Sequence, residues 1–166
     1  MSNQSNPFLY NCWYAAAWTH EISTGEKLAR TYLEKPVVIY RGESGKYYAL
    51  DNRCCHRGAP LSLGRVEKDC IRCMYHGMKY DTDGVVIEIP GQDFIGHNHR
   101  VQSYPIEEKG NLLWIWMGEP AQANPDDIFE IENFDNPEWG YTEGGALPIE
   151  CNYLWVVDNL LDPSHV

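Results

Sequence analysis

No window of this 166-residue sequence holds the ~18 consecutive apolar residues that a membrane-spanning helix requires, so a transmembrane segment is excluded on length. Residues 1–11 carry no Lys or Arg and no continuous apolar stretch. They do not read as a secretory leader, and the expected location is the cytosol. Cations are scarce: 13 Lys and Arg stand against 24 Asp and Glu, a net charge of −11. That balance opposes nucleic acid and anionic membrane as partners, because both would repel the chain. Cysteine is sparse too, with six residues, far below the density of a disulfide scaffold, so the cysteines are to be read for metal binding or reactivity. Internal repeats and low-complexity tracts are absent. What is present is 43% hydrophobic and 13% aromatic residues, enough for a packed core, in a length near the ~150 residues of one compact domain.

The apolar residues fall in short runs. Val37, Val38, Ile39 and Tyr40 form a β-branched and aromatic run, residues 42–45 a turn cluster, and residues 47–50 a second run, which together predict a hairpin. Thr82-Asp83-Gly84 predicts a turn before Val85, Val86, Ile87 and Ile89, and Lys109-Gly110-Asn111 a turn before the apolar strand 112–117. The fold class is therefore mainly β, with an antiparallel module over about residues 36–118. Residues 10–20, aromatic and Ala-rich, fit a short helix and a buried extended segment equally. Residues 119–127 read as a linker, and the roughly 40 residues after it are too few to bury a core alone.

Chemistry concentrates in two places. Cys54-Cys55-His56 and Cys73-Met74-Tyr75-His76 each pair a thiol with an imidazole. Two cysteines and two histidines are a ligand set for tetrahedral zinc, but structural zinc sites usually space cysteine from cysteine. Pairing Cys with His in each of two loops suits a [2Fe–2S] centre in which two histidines replace two cysteines on one iron. With two thiolates the oxidised centre is neutral, whereas four leave a dianion, so the mixed set accepts an electron more readily.

At these residues the sequence resembles the Rieske family: Cys54-Cys55-His56-Arg57-Gly58-Ala59-Pro60-Leu61-Ser62 and Cys73-Met74-Tyr75-His76-Gly77-Met78-Lys79-Tyr80-Asp81 are similar to its two cluster-binding loops. The resemblance implies that Cys54 and Cys73 hold one iron and His56 and His76 the other. Ala59, Tyr75 and Met78 stand where the respiratory branch has two further cysteines and a serine, so the likeness is to the oxygenase and ferredoxin branch. Without that serine hydroxyl the expected potential lies toward the low end of roughly −150 to +300 mV. Cys55, where the family usually has proline, is expected to be a small apolar filler, and Cys12, Cys70 and Cys151 to be buried. His97 and His99 are expected in a solvated loop and His20 at the surface or at a cap.

The second place is Asp158-Asn159-Leu160-Leu161-Asp162-Pro163-Ser164-His165-Val166. Asp162 can cap a helical turn that begins at Pro163. The stretch also resembles the iron-site helix of Rieske non-haem iron oxygenases, of the vanillate O-demethylase and dicamba monooxygenase type, as does the Trp13-Tyr14 opening. That likeness makes His165 the first ligand of a mononuclear non-haem Fe(II), places Asn159 beside it, and makes Asp162 the acidic link to the Rieske histidine of a neighbouring subunit. The second histidine and the carboxylate of the usual triad are absent from the sequence.

Residues 1–118 then form an N-terminal segment plus a Rieske domain, and residues 119–166 a linker and the truncated start of an α+β catalytic domain. The implied function is electron transfer from an NAD(P)H-dependent reductase or ferredoxin to an iron that activates dioxygen to hydroxylate or demethylate an aromatic substrate. The implied assembly is a homo-oligomer, a trimer by the resemblance. A Rieske ferredoxin-like electron carrier without oxygenase activity is the rival reading, and it has no use for Asn159 and His165.

Overall fold

Val37, Val38, Ile39 and Tyr40 are all fully buried, although successive strand residues point to opposite faces. Both faces of their strand must therefore be covered, and the computed structural model, which describes residues 8–134, 136–142 and 144–165, shows how. The strand is β3 (Lys35–Arg41), the third of eleven among the described residues. It lies in a four-stranded antiparallel sheet between β2 (Lys27–Tyr32) and β4 (Tyr47–Asp51), with β9 (Ser103–Tyr104) at the far edge. Val37 and Ile39 enter one apolar cluster with Ala49, Leu113, Ile115 and Met117. Val38 and Tyr40 enter another with Leu50, Leu61, Ile71, Tyr80 and Val86.

The first cluster is closed by a three-stranded sheet in the order β1 (Cys12–Trp18), β11 (Leu112–Met117), β10 (Ile106–Lys109). Of residues 10–20, Cys12–Trp18 is thus a strand, and Thr19–Glu21 closes it with one 3-10 turn. The register of β1 on β11 shifts between Ala15 and Ala17, and at this bulge the adjacent Ala16 and Ala17 are both buried. The second cluster is closed by a sheet of four short strands, β5 (Arg65–Glu67), β6 (Cys70–Arg72), β7 (Lys79–Tyr80) and β8 (Val86–Glu88), in that order.

The outer face of this third sheet is ionic. Its register makes Arg72 the partner of both Arg65 and Lys79, an alignment of like charges that is unfavourable by itself. Glu67 offsets it by bonding Arg65 Nε at 2.5 Å, Arg72 Nε at 2.8 Å and Lys79 Nζ at 3.3 Å. Arg72 also meets Glu88 through both terminal nitrogens, at 2.9 and 2.8 Å. The Arg72 guanidinium, with Arg65 beside it, holds the Glu67 carboxyl down at about 2.

Beyond β11 the chain runs through two 3-10 turns, Pro120–Gln122 and Pro125–Asp127, against the three-stranded sheet. Trp13 Nε1 donates to the Asn124 carbonyl at 2.8 Å, and Ile128 is buried. One helix follows, α1 (Tyr153–Leu161), capped by Asn152, whose side chain accepts the Leu154 N–H at 3.0 Å. Among the described residues no helix is long and apolar enough to cross a membrane.

The β2–β3 hairpin turns through Leu33 and Glu34, both left-handed at φ 47° and 65°, a type I′ turn built without Gly or Asn. Leu33 packs on the first cluster but Glu34 is exposed. Glu34→Gly is expected to stabilise the fold by about 0.5–1 kcal/mol, since the left-handed penalty it relieves exceeds the added chain entropy. An unchanged or lower urea midpoint would contradict this. Glu67 has a depressed carboxyl in the fold, so its contribution is complete above its unfolded value near 4.5 and is lost as pH falls toward 2. The gap in urea midpoint between wild type and Glu67→Gln is therefore expected to be widest near neutrality and to close across that acid window.

Candidate metal centre

Two loops, one between β4 and β5 and one between β6 and β7, follow one backbone pattern. In the first, Cys54 N–H donates to Ala59 O at 2.9 Å and Gly58 N–H to Cys54 O at 2.9 Å. In the second, Cys73 N–H donates to Met78 O at 2.8 Å and Gly77 N–H to Cys73 O at 3.2 Å. Each loop closes through a glycine four residues after its cysteine, Gly58 at φ +68° and Gly77 at +74°, a conformation that other residues adopt at a cost. At Gly77 space is short as well, because a Cβ there would lie 2.8 Å from Pro90 Cγ.

These loops sort their side chains by depth. Cys54 and Cys73 are 4% and 3% exposed and belong to the second apolar cluster. His56 and His76 are exposed, with ring centroids 4.6 Å apart and planes at 63°. Tyr75 packs on His76 at 3.9 Å. All four residues singled out from the sequence are thus gathered at one end of the module, sulfur inside and imidazole outside.

Burial pushes the Cys73 thiol up, while backbone N–H groups of Tyr75 and His76 favour its thiolate and the neighbouring Cys54 thiol adds to the rise. Two buried thiols side by side, one of them facing backbone donors, fit sulfur atoms held as metal-bound thiolates. Among the described residues no three His, Cys, Asp or Glu side chains converge as ligands of a single ion. The donors instead come in pairs, two sulfurs and two nitrogens. This suits two irons that each take two protein ligands and complete their coordination through shared inorganic sulfides. The residues present fit a [2Fe–2S] group.

Two neighbours were not found from the sequence. Tyr80 is fully buried on β7, and its hydroxyl lies 3.0 Å from Cys54 Sγ and 3.3 Å from Cys55 Sγ while accepting the Cys55 N–H at 3.1 Å. Burial above all pushes its phenol up, so it stays a neutral hydroxyl. Met78 supplies no hydroxyl, and Tyr80 does, from a position that strand periodicity alone marks only as core. Arg72, just before Cys73, donates to the Gly77 carbonyl at 2.7 Å.

Other expectations are corrected. Cys55 is exposed as a residue, with its Sγ against the Tyr80 hydroxyl, so it is no apolar filler. Cys12 and Cys70 are half-buried and Cys151 is exposed, so burial does not explain them. His97 is exposed and His20 is on the surface, as expected, whereas His99 is half-buried with Nδ1 3.0 Å from Gly96 O.

Asp162 lies just after α1, and its carboxylate accepts the Ser164 N–H at 2.9 Å at the start of the 3-10 turn Pro163–His165. Those hydrogen bonds from Ser164 hold the carboxyl below its usual range. Asn159 is exposed on α1. Among the described residues no hydrogen bond or ion pair joins Asp162 to the two loops. The side chain of His165 and the whole of Val166 lie outside the described set.

Comparison with known proteins bears on the same residues. The iron-sulfur subunit of the toluene-4-sulfonate monooxygenase system of Comamonas testosteroni is 50% identical over 96% of this chain and 46% of its own length. The vanillate O-demethylase oxygenase subunit of a Pseudomonas species is 39% identical over 95% of this chain and 44% of its own. In structure the chain is similar to dicamba monooxygenase bound to dicamba, with a TM-score of 0.89 and 37% identity over 95% of this chain and 47% of that one. The chain therefore spans a little under half the length of these relatives. The family model of the Rieske [2Fe-2S] domain matches residues 12–105, more than half of the chain and both loops. The chain thus belongs to the Rieske [2Fe-2S] domain family.

Proposed function

We propose that Cys54 and Cys73 bind one iron and His56 and His76 the other, and that the whole protein is the oxygenase component of an aromatic hydroxylating or O-demethylating system. The observation that carries this reading is the shared backbone of the two loops, each turning a thiol into the core and an imidazole to the surface. A [2Fe–2S] centre, when bound, accepts and releases one electron at a time. The chain's own part is to keep water from the buried sulfurs, to donate the Tyr80 hydroxyl toward Cys54 Sγ, and to present the exposed imidazoles to a partner. Because the serine position is Met78, the potential is proposed to lie low in the Rieske span.

The names of the relatives, a subunit of a system and an oxygenase subunit, support a partner that delivers electrons. We take it to be an NAD(P)H-dependent reductase or a ferredoxin in the cytoplasm. By the same reading residues 1–118 are the electron-transfer unit and residues 119–166 lead into the catalytic one. There His165 is the first ligand of a mononuclear non-haem Fe(II), and Asp162, pinned at its helical turn by Ser164, positions the route from a neighbouring subunit's histidine in a homo-oligomer, a trimer. The substrate is an aromatic small molecule with dioxygen as co-substrate.

Loading with iron and sulfide is expected to give about two irons per chain and a paramagnetic reduced state. His56→Cys and His76→Cys should each lower the potential, since a thiolate adds negative charge to the centre. Unchanged spectra and potential would remove that histidine from the ligand set. In the gene's full-length product, His165→Ala is expected to lose a third iron while the cluster signal persists. If no third iron is ever bound, the electron-carrier reading replaces the oxygenase one.

A further inference from the structure

The two loops share a backbone but are fastened differently. The first is held by Tyr80, which accepts the Cys55 N–H, and by Asn52, whose Oδ1 accepts the Ser62 N–H at 2.7 Å. The second is held by Arg72. A guanidinium has five N–H donors in a fixed plane. Here Nε and Nη2 take the two oxygens of Glu67 at 2.8 and 3.0 Å, and Nη1 and Nη2 take those of Glu88 at 2.9 and 2.8 Å. The remaining Nη1 donor takes the Gly77 carbonyl at 2.7 Å. No donor is spare, and the Arg72 side chain is only 11% exposed.

Gly77 follows His76 directly and has Pro90 packed against its Cα. With Arg72 on its carbonyl, the residue next to the imidazole is gripped on two sides. The two carboxylates come from β5 and β8, so the grip is referred to the whole third sheet rather than to the loop itself.

We propose that Arg72 is a positioning residue for the second loop: its saturated guanidinium fixes the Gly77 carbonyl and through it the orientation of the His76 ring. The proposal rests on His76 being an iron ligand. Lysine cannot replace it, because an ammonium keeps the charge but lacks the planar fork that spans three acceptors.

The test uses the protein loaded with iron and sulfide, reduced, with the nitrogen couplings of the two bound histidines measured by pulsed electron paramagnetic resonance. In Arg72→Lys and Arg72→Gln one coupling is expected to shift while the other stays. Loss of the cluster to a chelator should quicken roughly ten-fold, the scale of one charge-assisted hydrogen bond. A shift present in Arg72→Lys is geometric, since the charge is kept, and this variant carries the test if Arg72→Gln does not fold. The proposal is overturned if thermal stability falls while both couplings and the chelation rate hold, because Arg72 then only braces the sheet. It is equally overturned if both couplings move together. A wild-type spectrum with no bound nitrogen defeats the ligand assignment and the clamp with it, a result distinct from failure of the clamp alone.

Discussion

The two-sided burial of β3 is the constraint on which the rest depends. Val37 and Ile39 face one apolar cluster, Val38 and Tyr40 the other, and a strand dry on both faces must sit in the middle of three layers. Full burial of four such side chains is worth on the order of 1.5–3 kcal/mol each. A polar residue at any of them would lose that and leave an unpaired group in the core. The outer sheets differ in kind. The one made by β1, β10 and β11 supplies broad apolar faces, whereas the one made by β5 to β8 has strands of two or three residues and balances its small core with an ionic outer face.

That difference suits the metal centre. The Cys54 and Cys73 thiols have a dry, rigid floor, because they are members of the same cluster as Tyr40, Leu61 and Ile71. The His56 and His76 imidazoles stand exposed on the loops, two and three residues beyond their buried cysteines. The same short strands that make the third sheet weak as a core make it effective as a mount, because β6 and β7 bracket the second loop directly. Arg72 and Lys79, the residues on either side of that loop, both pair with Glu67. Structure and site are therefore stabilised by the same contacts.

The C-terminal helix contrasts with this. Its Leu154, Trp155, Leu160 and Leu161 are exposed within the described chain, an apolar surface beside a cap and turn that are well formed locally. Local signals alone, Asn152 before α1 and Asp162-Pro163 after it, account for its ends.

Much of this was legible in the sequence, and for definite reasons. The runs at 37–40, 47–50 and 112–117 are strands because β-branched and aromatic residues between turn clusters leave little else. The two Cys and His pairs announce a metal centre because few other chemistries need those residues at that spacing. Residues 10–20 were ambiguous because alanine favours helix and the deciding contact, Ala15 opposite Trp114, lies a hundred residues away. The Leu33-Glu34 turn was invisible since it lacks the usual Asn or Gly. Tyr80 and Arg72 escaped for the same reason as the exposure of Cys55: a hydroxyl on Cys54 Sγ and a guanidinium on the Gly77 carbonyl are products of register between strands. The sequence by itself determined which atoms can bind metal and which segments are strands, because composition and local spacing carry that information. Only the tertiary structure decided which donors sit in the core, which reach solvent and what holds each loop still, because those depend on packing between residues far apart in the chain.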